Sequence, residues 1–502
     1  MENKTLMTDF YELTMDQSYL FEGKQNKQVY YDIFFRRNIY DGGYTIAGGL
    51  EETIEYIKNF KIDEEAIEFL RGQGFDEKFL NHLKNLKFKG DIYAVEDGTV
   101  VFPNEPVLTV KADIITAQLL ETALLANFNH GALITTVAKR ITNEAKTNTP
   151  EPKIIPVMEF GARRARGIDS AIEASKHAFV GGCVGTSNTY AGMKYGIPLL
   201  GTMAHSLVTE CENEYEAFLE FAKANPYNCL FLVDTYDTLR SGIPNAIKVA
   251  NDYLKPNGLP FKGIRIDSGD LYYLTTEARK MLDAAGYPEA KICVSNDLTA
   301  EKIYSLIQQG APIDIIGAGT NLASPPENVG AVYKLVATEE NGVIVPRIKV
   351  SEDTIKTINP GYKKTYRFYD KEKGYIIGDV IALADEIIPD DKYTLVHPTV
   401  TWKAKTIENY VIRELQVPIF KNGELVYKLP TLKERQEYCQ REFETLYPEA
   451  RRILNPYEYC VDLTDNLRNL KEELIRLHTA KVDPPKQFVK GVAECEKKNQ
   501  KN

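Results

Sequence analysis

IIPV at 154–157, AFV at 178–180, PLL at 198–200, LFLV at 230–233, GIRI at 263–266, ICV at 292–294, IDII at 313–316 and VYKL at 332–335 are eight short apolar runs divided by helical stretches. They recur roughly every 20 to 33 residues, the pitch of strand-plus-helix units in a parallel barrel. The segments that follow the first seven runs read EFGARR, GTSN, GTMAH, DTYD, DSGD, SND and GAGTN. Chemistry in such barrels gathers at the carboxyl ends of the strands. One rim would therefore carry arginines, carboxylates, a histidine and several glycines, a composition suited to a phosphorylated substrate.

On either side of this repeat the pattern changes. Residues 1–148 read as a separate α/β region, with a strand at 28–35 (QVYYDIFF), helical spacing at 50–59 and 64–72, paired strands over 91–110 and a long helix from about 115 to 145. Residues 346–410 return to short strands and turns that could complete the amino-terminal sheet, and 431–480 are helical and charged. The expected architecture is α/β: an irregular TIM-like barrel over 149–345 and an α/β sandwich built from 1–148 and a post-barrel segment. A helical carboxyl-terminal extension falls within 346–502, and 481–502 reads as a mobile tail.

A chain of 502 residues with 43% hydrophobic and 26% charged residues has ample apolar surface for more than one core. Its net charge of −10 argues against a sequence-independent nucleic-acid binder, though a local group such as Arg163, Arg164 and Arg166 can still build a cationic pocket. The seven cysteines show no CxxC pair or zinc spacing, and buried reduced thiols fit them best. No apolar stretch approaches a membrane span and the amino terminus lacks secretory character, so a soluble cytoplasmic protein is expected.

Four clusters could carry chemistry. The loop Gly317-Ala318-Gly319-Thr320 offers backbone N–H groups to a phosphate, or is a turn chosen for chain reversal alone. Arg265, Asp267 and Asp270 could hold an anion, ribose hydroxyls or a magnesium–diphosphate, unless Arg265 is spent on a salt bridge to one of those aspartates. Arg163 could grip phosphate bidentately, or lie with its neighbours on a solvated helix face. His205 is the lone histidine at an expected strand end, fit for acid–base work, phosphoryl acceptance or a structural role. The chain lacks the Walker, G-x-S-x-G, H-E-x-x-H and G-x-G-x-x-G motifs.

TDFYELTM (8–15), YDIFFRRN (31–38), EFGARRARG (159–167), GTSN (185–188), GTMAHS (201–206), RIDSGDL (265–271) and GAGTN (317–321), in this order, resemble the nicotinate phosphoribosyltransferase family. The resemblance implies transfer of phosphoribosyl from 5-phosphoribosyl 1-diphosphate to the ring nitrogen of nicotinate, coupled to ATP hydrolysis, with Mg2+ accompanying the diphosphate. It implies a homodimer with shared sites, in which Tyr11 of one subunit stacks on the pyridine ring bound by the other. Thr202, Arg265 and, by its place in GTSN, Ser187 would face nicotinate, and His205 would be phosphorylated by ATP. Thr320 would lie in the phosphate loop, with Arg163, Asp267, Asp270, Gly317 and Gly319 also at the site.

Four alternatives remain. Nicotinamide phosphoribosyltransferase has an aspartate in the motif aligned with GTSN, where Ser187 would spare a carboxylate substrate the repulsion. Quinolinate phosphoribosyltransferase would need more cationic groups, and a type I phosphoribosyltransferase would need an acidic pair that Asp234-Thr235-Tyr236-Asp237 imitates poorly. A non-catalytic sugar-phosphate-sensing barrel would not require Tyr11, His205, Arg265 and Asp267 together.

Overall fold

The computed structural model describes residues 4–351, 356–397, 400 and 402–479, so the expected mobile tail lies outside the described residues. Six strands form one parallel sheet in the order Gly185–Thr186, Val157–Glu159, Ile315–Ala318, Lys291–Val294, Gly263–Ile266 and Leu230–Leu232. Ile264, Ile266, Ile292, Val294 and Ile316 are fully buried, as expected of parallel strands covered by helices. Because the strands run the same way, the segments after Glu159, Thr186, Leu232, Ile266, Val294 and Ala318 all leave from one edge. That edge positions the site.

The repeat differs from its expected form at four places. Residues 178–180 are the last turn of the helix Ile168–Val180, not a strand. Ala171, Ala174 and Ala178 are buried at helical spacing, and Gly181 and Gly182 follow. A short apolar run cannot by itself distinguish a strand from a helix end, and here the helical period prevails. The strand of this unit is Gly185–Thr186, inside the segment read as a loop. Residues 198–200 contribute one bridge, Leu199 to Thr186. The first strand starts at Val157, since Ile154 is 83% exposed and bridges Lys146.

The eighth run belongs to another sheet. Residues 332–335 lie within the strand Ala331–Glu340, which pairs antiparallel with Gln28–Phe35, Lys334 opposite Asp32. Its polar residues suit an antiparallel strand with one face in solvent better than a parallel strand buried on both. The seven-stranded sheet runs Val343–Pro346, Ala331–Glu340, Gln28–Phe35, Pro106–Asp113, Asp91–Ala94, Val417–Lys421 and Glu424–Leu425. Strands from the beginning, middle and end of the chain thus share one sheet. The helices Leu50–Lys58, Glu64–Gly72 and Glu77–Lys84 pack Ile54, Leu70 and Phe79 into the same core as Ile33 and Phe35. Asp63 caps the second of them by accepting from the Ala66 amide.

Residues 363–414 mostly build a sheet of their own, in the order Tyr410–Glu414, Lys363–Asp370, Ile376–Leu383, Val461–Leu463. Fully buried Arg367 sits in it, 2.7 Å from Asp379 and 3.5 Å from Glu442 on the helix Leu432–Glu444. Removing one partner would strand a buried charge at a cost of about 3–5 kcal/mol. The same helix carries Arg435, 2.9 Å from Glu51 and 3.3 Å from Asp97. A second buried group ties the sheets together: Lys176 lies 2.9 Å from Glu51, and His177 3.0 Å from Glu52. These contacts fix the helix Ile168–Val180, and with it the loop of arginines before it.

Candidate active site

Arg265 alternates with Ile264 and Ile266 and therefore points to the opposite face of the strand from them. Its Nε donates to Ser295 Oγ at 2.7 Å and its Nη2 to Asp267 Oδ1 at 3.0 Å, while Ser295 Oγ itself donates to Asp267 Oδ1 at 2.5 Å. The salt bridge considered from sequence is thus present. A guanidinium has five N–H donors, so two bonds leave three for a ligand. Its carbon lies 5.4 Å from the Phe160 ring centroid, a cation–π contact that also orients it.

Arg265 lines a cavity of about 360 Å3 whose walls include Phe160, Thr202, Met158, Cys293 and Ile315 and which extends to Asn228, Lys262, Glu289 and Lys291 at the amino ends of the strands. Thr202 Oγ1 is buried there with no hydrogen-bond partner. A buried hydroxyl left unpaired costs free energy that a bound acceptor would recover. Ser187 is exposed at the end of its strand, donates its backbone N–H to Glu159 O and does not line the cavity.

His205 opens the helix His205–Glu210 and is less than half exposed. Its Nδ1 lies 3.1 Å from Thr235 Oγ1, and its Nε2 4.0 Å from Asp234 Oδ1. The Asp234 side chain is 1% exposed. Its Oδ2 accepts from the Asp267 N–H at 3.0 Å and Ser268 Oγ at 2.6 Å, while Oδ1 is buried without a hydrogen bond. One carboxylate therefore joins the histidine to the loop carrying Asp267. Asp234, Ser295 and Phe160 are the residues that sequence reasoning passes over. Their only signal is position, each within two residues of a strand end.

The remaining candidates sit around this group. Asp270 is the N-cap of the helix Leu271–Ala284 and accepts from the Tyr273 amide at 3.1 Å. Arg163 and Arg164 are exposed in a tight turn, while Arg166 reaches Ser324 Oγ at 3.2 Å and Pro325 O at 3.4 Å. Glu159, buried, accepts from the Gly161 N–H, Ser175 Oγ at 3.0 Å and Thr186 Oγ1, and so holds neighbouring strand ends together. Gly317, Gly319 and Thr320 follow one another at the end of Ile315–Ala318. A Cβ on Gly317 would fall 2.6 Å from the Phe160 ring, and one on Gly161 2.7 Å from Gly319 O. Only glycine permits those approaches.

Tyr11 does not line this cavity; it lies on the helix Phe10–Phe21 beside Glu12 and Glu121. Burial, then the nearby carboxylates, pushes its phenol up. Buried Glu12 anchors the helix by accepting from Thr122 Oγ1 at 2.6 Å and from Thr8. Phe10, Tyr11 and Phe21 remain roughly half exposed.

Cys183, Cys229 and Cys293 are buried free thiols, and burial pushes Cys229 up to about 11 and Cys293 up to about 12. Among the described residues no cluster of three or more His, Cys, Asp or Glu side chains is arranged to hold a metal. No helix among them is long and apolar enough to cross a membrane.

Residues 6–129 match the nicotinate phosphoribosyltransferase (NAPRTase) N-terminal domain, 155–368 the nicotinate phosphoribosyltransferase (NAPRTase) family, and 362–471 the corresponding C-terminal domain. A nicotinate phosphoribosyltransferase of Bacillus subtilis is 41% identical over 484 residues, covering 96% of both chains. Nicotinate phosphoribosyltransferase 1 of Arabidopsis thaliana is 35% identical, covering 92% of each. The crystal structure of human nicotinic acid phosphoribosyltransferase superposes with a TM-score of 0.79 at 28% identity, over 93% of this chain and 99% of that one. With three matches along its length and a relative 41% identical over 96% of both chains, the chain belongs to the nicotinate phosphoribosyltransferase family.

Proposed function

We propose that the protein transfers the phosphoribosyl group of 5-phosphoribosyl 1-diphosphate to the ring nitrogen of nicotinate, giving nicotinate mononucleotide and diphosphate. The observation that carries this reading is the unpaired Thr202 hydroxyl in a cavity that Arg265 also lines. A flat ring bearing a carboxylate supplies what that cavity lacks: an anion for the three remaining guanidinium donors, an acceptor for the hydroxyl and a π face for Phe160. Ser187, outside the cavity lining, would contribute only by adding no negative charge on the carboxylate's side of the sheet.

The reaction needs alignment more than proton transfer, because the pyridine nitrogen is already nucleophilic. It attacks C1 of the ribose, the C1–oxygen bond breaks, and diphosphate leaves with the electron pair. Asp267 faces the rim and would receive ribose hydroxyls. The Gly317–Gly319 backbone, Thr320 and Arg163 would hold phosphate. Asp270, already committed to its helix, would act through that loop's shape. Mg2+ bound with the sugar diphosphate, on the side of Asp267, would supply charge neutralisation for the leaving group.

ATP coupling would act through His205. A phosphoryl group on its ring adds about −1.5 to −2 charge beside Asp234. Asp234 also bonds the Asp267 loop, so repulsion there would shift the residues that grip the sugar. The barrel reading is supported by Leu200, which donates its N–H to Thr186 O beside one edge strand, lining the same cavity as Leu230 of the other edge strand, and by Asn228 Nδ2 donating to Gly201 O at 2.9 Å. On that reading the chain divides into an amino-terminal α/β unit to about 148, a barrel to about 345 and the remainder. A homodimer in the cytoplasm completes the proposal. The exposed Phe10, Tyr11 and Phe21 form apolar surface that a second copy would cover, carrying Tyr11 into its neighbour's site.

Incubation with γ-labelled ATP tests the coupling. Acid-labile label should appear on the protein and vanish in His205→Ala, with diphosphate release from nicotinate and the sugar diphosphate falling in parallel. Stable labelling of the alanine variant would refute the role given to His205.

A further inference from the structure

A larger cavity lies far along the chain from these residues. It measures about 910 Å3 and is walled by the hairpin Lys392–Val396 with Ala404–Glu408 and by the segment 447–460. Its floor is apolar and fixed. Ile377 and Leu395 are part of it, and Tyr459 stacks on Phe102 at 3.8 Å while donating to Asp379 Oδ1 at 2.8 Å. Tyr447 packs against Tyr375 at 4.9 Å on one side. At the end of the hairpin strands His397 N donates to Lys403 O at 2.9 Å.

The walls are of a different character. Trp402 is 82% exposed and Tyr457 61% exposed, two large aromatic faces left uncovered at the rim of a concave site. Lys403, Lys405 and Arg452 bring three cations to the same walls, against the carboxylates of Glu449 and Glu458. Arg452 is only loosely matched, 3.9 Å from Glu449, which leaves guanidinium donors for a ligand. On a chain of net charge −10, a cation excess beside bare aromatic rings selects an anion that is also planar. The volume lies in the range of small-molecule and cofactor sites.

We propose that this cleft is a second, non-catalytic nucleotide site. A nucleobase would lie against Trp402 and Tyr457, and its phosphate against Lys403, Lys405 and Arg452. Neither the base nor the phosphate alone satisfies both halves of the site. None of these residues belongs to the transfer site, so occupancy here is independent of whether the reading of that site holds.

The chain contains a single tryptophan, Trp402, so intrinsic tryptophan fluorescence reports on this cleft. The full-length protein is titrated with AMP, adenosine and inorganic phosphate in separate arms, and labelled AMP is followed by equilibrium dialysis. AMP should change the emission saturably, with adenosine at least about tenfold weaker and phosphate silent. The double variant Lys403→Glu, Lys405→Glu should bind AMP at least about tenfold more weakly while keeping its rate of diphosphate release. No saturable response to AMP would overturn the proposal, as would an unchanged response in the charge-reversed protein. Phosphate alone reproducing the full effect would reduce the cleft to an anion patch and overturn it too.

Discussion

Asp234 Oδ1 lies 4.0 Å from His205 Nε2, buried and without a hydrogen bond of its own. That separation is too long for a hydrogen bond. The other oxygen already holds the Asp267 loop. Asp234→Asn keeps an acceptor for that loop and removes the charge facing the imidazole. It should fold normally and lose about 100-fold in ATP-stimulated turnover, with a smaller effect on the reaction without ATP. Steady-state rates with and without ATP check this; equal losses under both conditions would assign Asp234 to loop shape alone.

Arg265 is held by Ser295 and Asp267 with donors to spare. Arg265→Lys cannot keep the Ser295 bond and still present a fork to a carboxylate. The expected loss is about 2–3 kcal/mol in kcat/KM for nicotinate, roughly 30- to 150-fold. Binding of the sugar diphosphate, followed by calorimetry, should change far less.

Gly161 and Gly319 belong to loops that leave neighbouring strands, and a Cβ on Gly161 would lie 2.3 Å from the Ala323 Cβ. Gly161→Ala must push those loops apart, at about 1–3 kcal/mol of overpacking. The KM for the sugar diphosphate should rise, with the melting temperature falling. An alanine variant with unchanged KM would remove these loops from the phosphate site.

His130 packs edge-on to His177 at 6.3 Å between the helices Glu121–Glu144 and Ile168–Val180. Burial, with a contribution from His177, pushes it down to about 4. The unfolded chain, titrating near the ordinary value of about 6.5, then takes up the proton first as pH falls. Its contribution, up to about 3 kcal/mol, is complete above about pH 6.5 and is lost as pH falls toward about 4. Urea midpoints at about pH 7.5 and about pH 5 should therefore differ less for His130→Asn than for the natural chain. An equal drop in both would exclude His130 as the titrating group.

Much of this architecture is written in local sequence. The strands Gly263–Ile266 and Ile315–Ala318 and the capped helix after Asp63 follow from runs and caps that short-range physics dictates. Residues 178–180 and 332–335 mislead because an apolar run does not say whether it closes a helix or which sheet it joins. The site divides in the same way. Arg265 and His205 are visible as unusual residues at strand ends. Asp234 gains its meaning because Leu230–Leu232 pairs with Gly263–Ile266, and Ser295 because Lys291–Val294 does, a neighbourhood set by long-range pairing.

The central claim is that this cavity receives a pyridine carboxylate. Nicotinate and nicotinamide, each offered with 5-phosphoribosyl 1-diphosphate, Mg2+ and ATP, should be compared by diphosphate release and mononucleotide formed. The account predicts rapid turnover of nicotinate and, without the carboxylate for Arg265 and Thr202, a kcat/KM for nicotinamide lower by about 100-fold or more. Equal turnover of both, or no diphosphate from nicotinate, would contradict it.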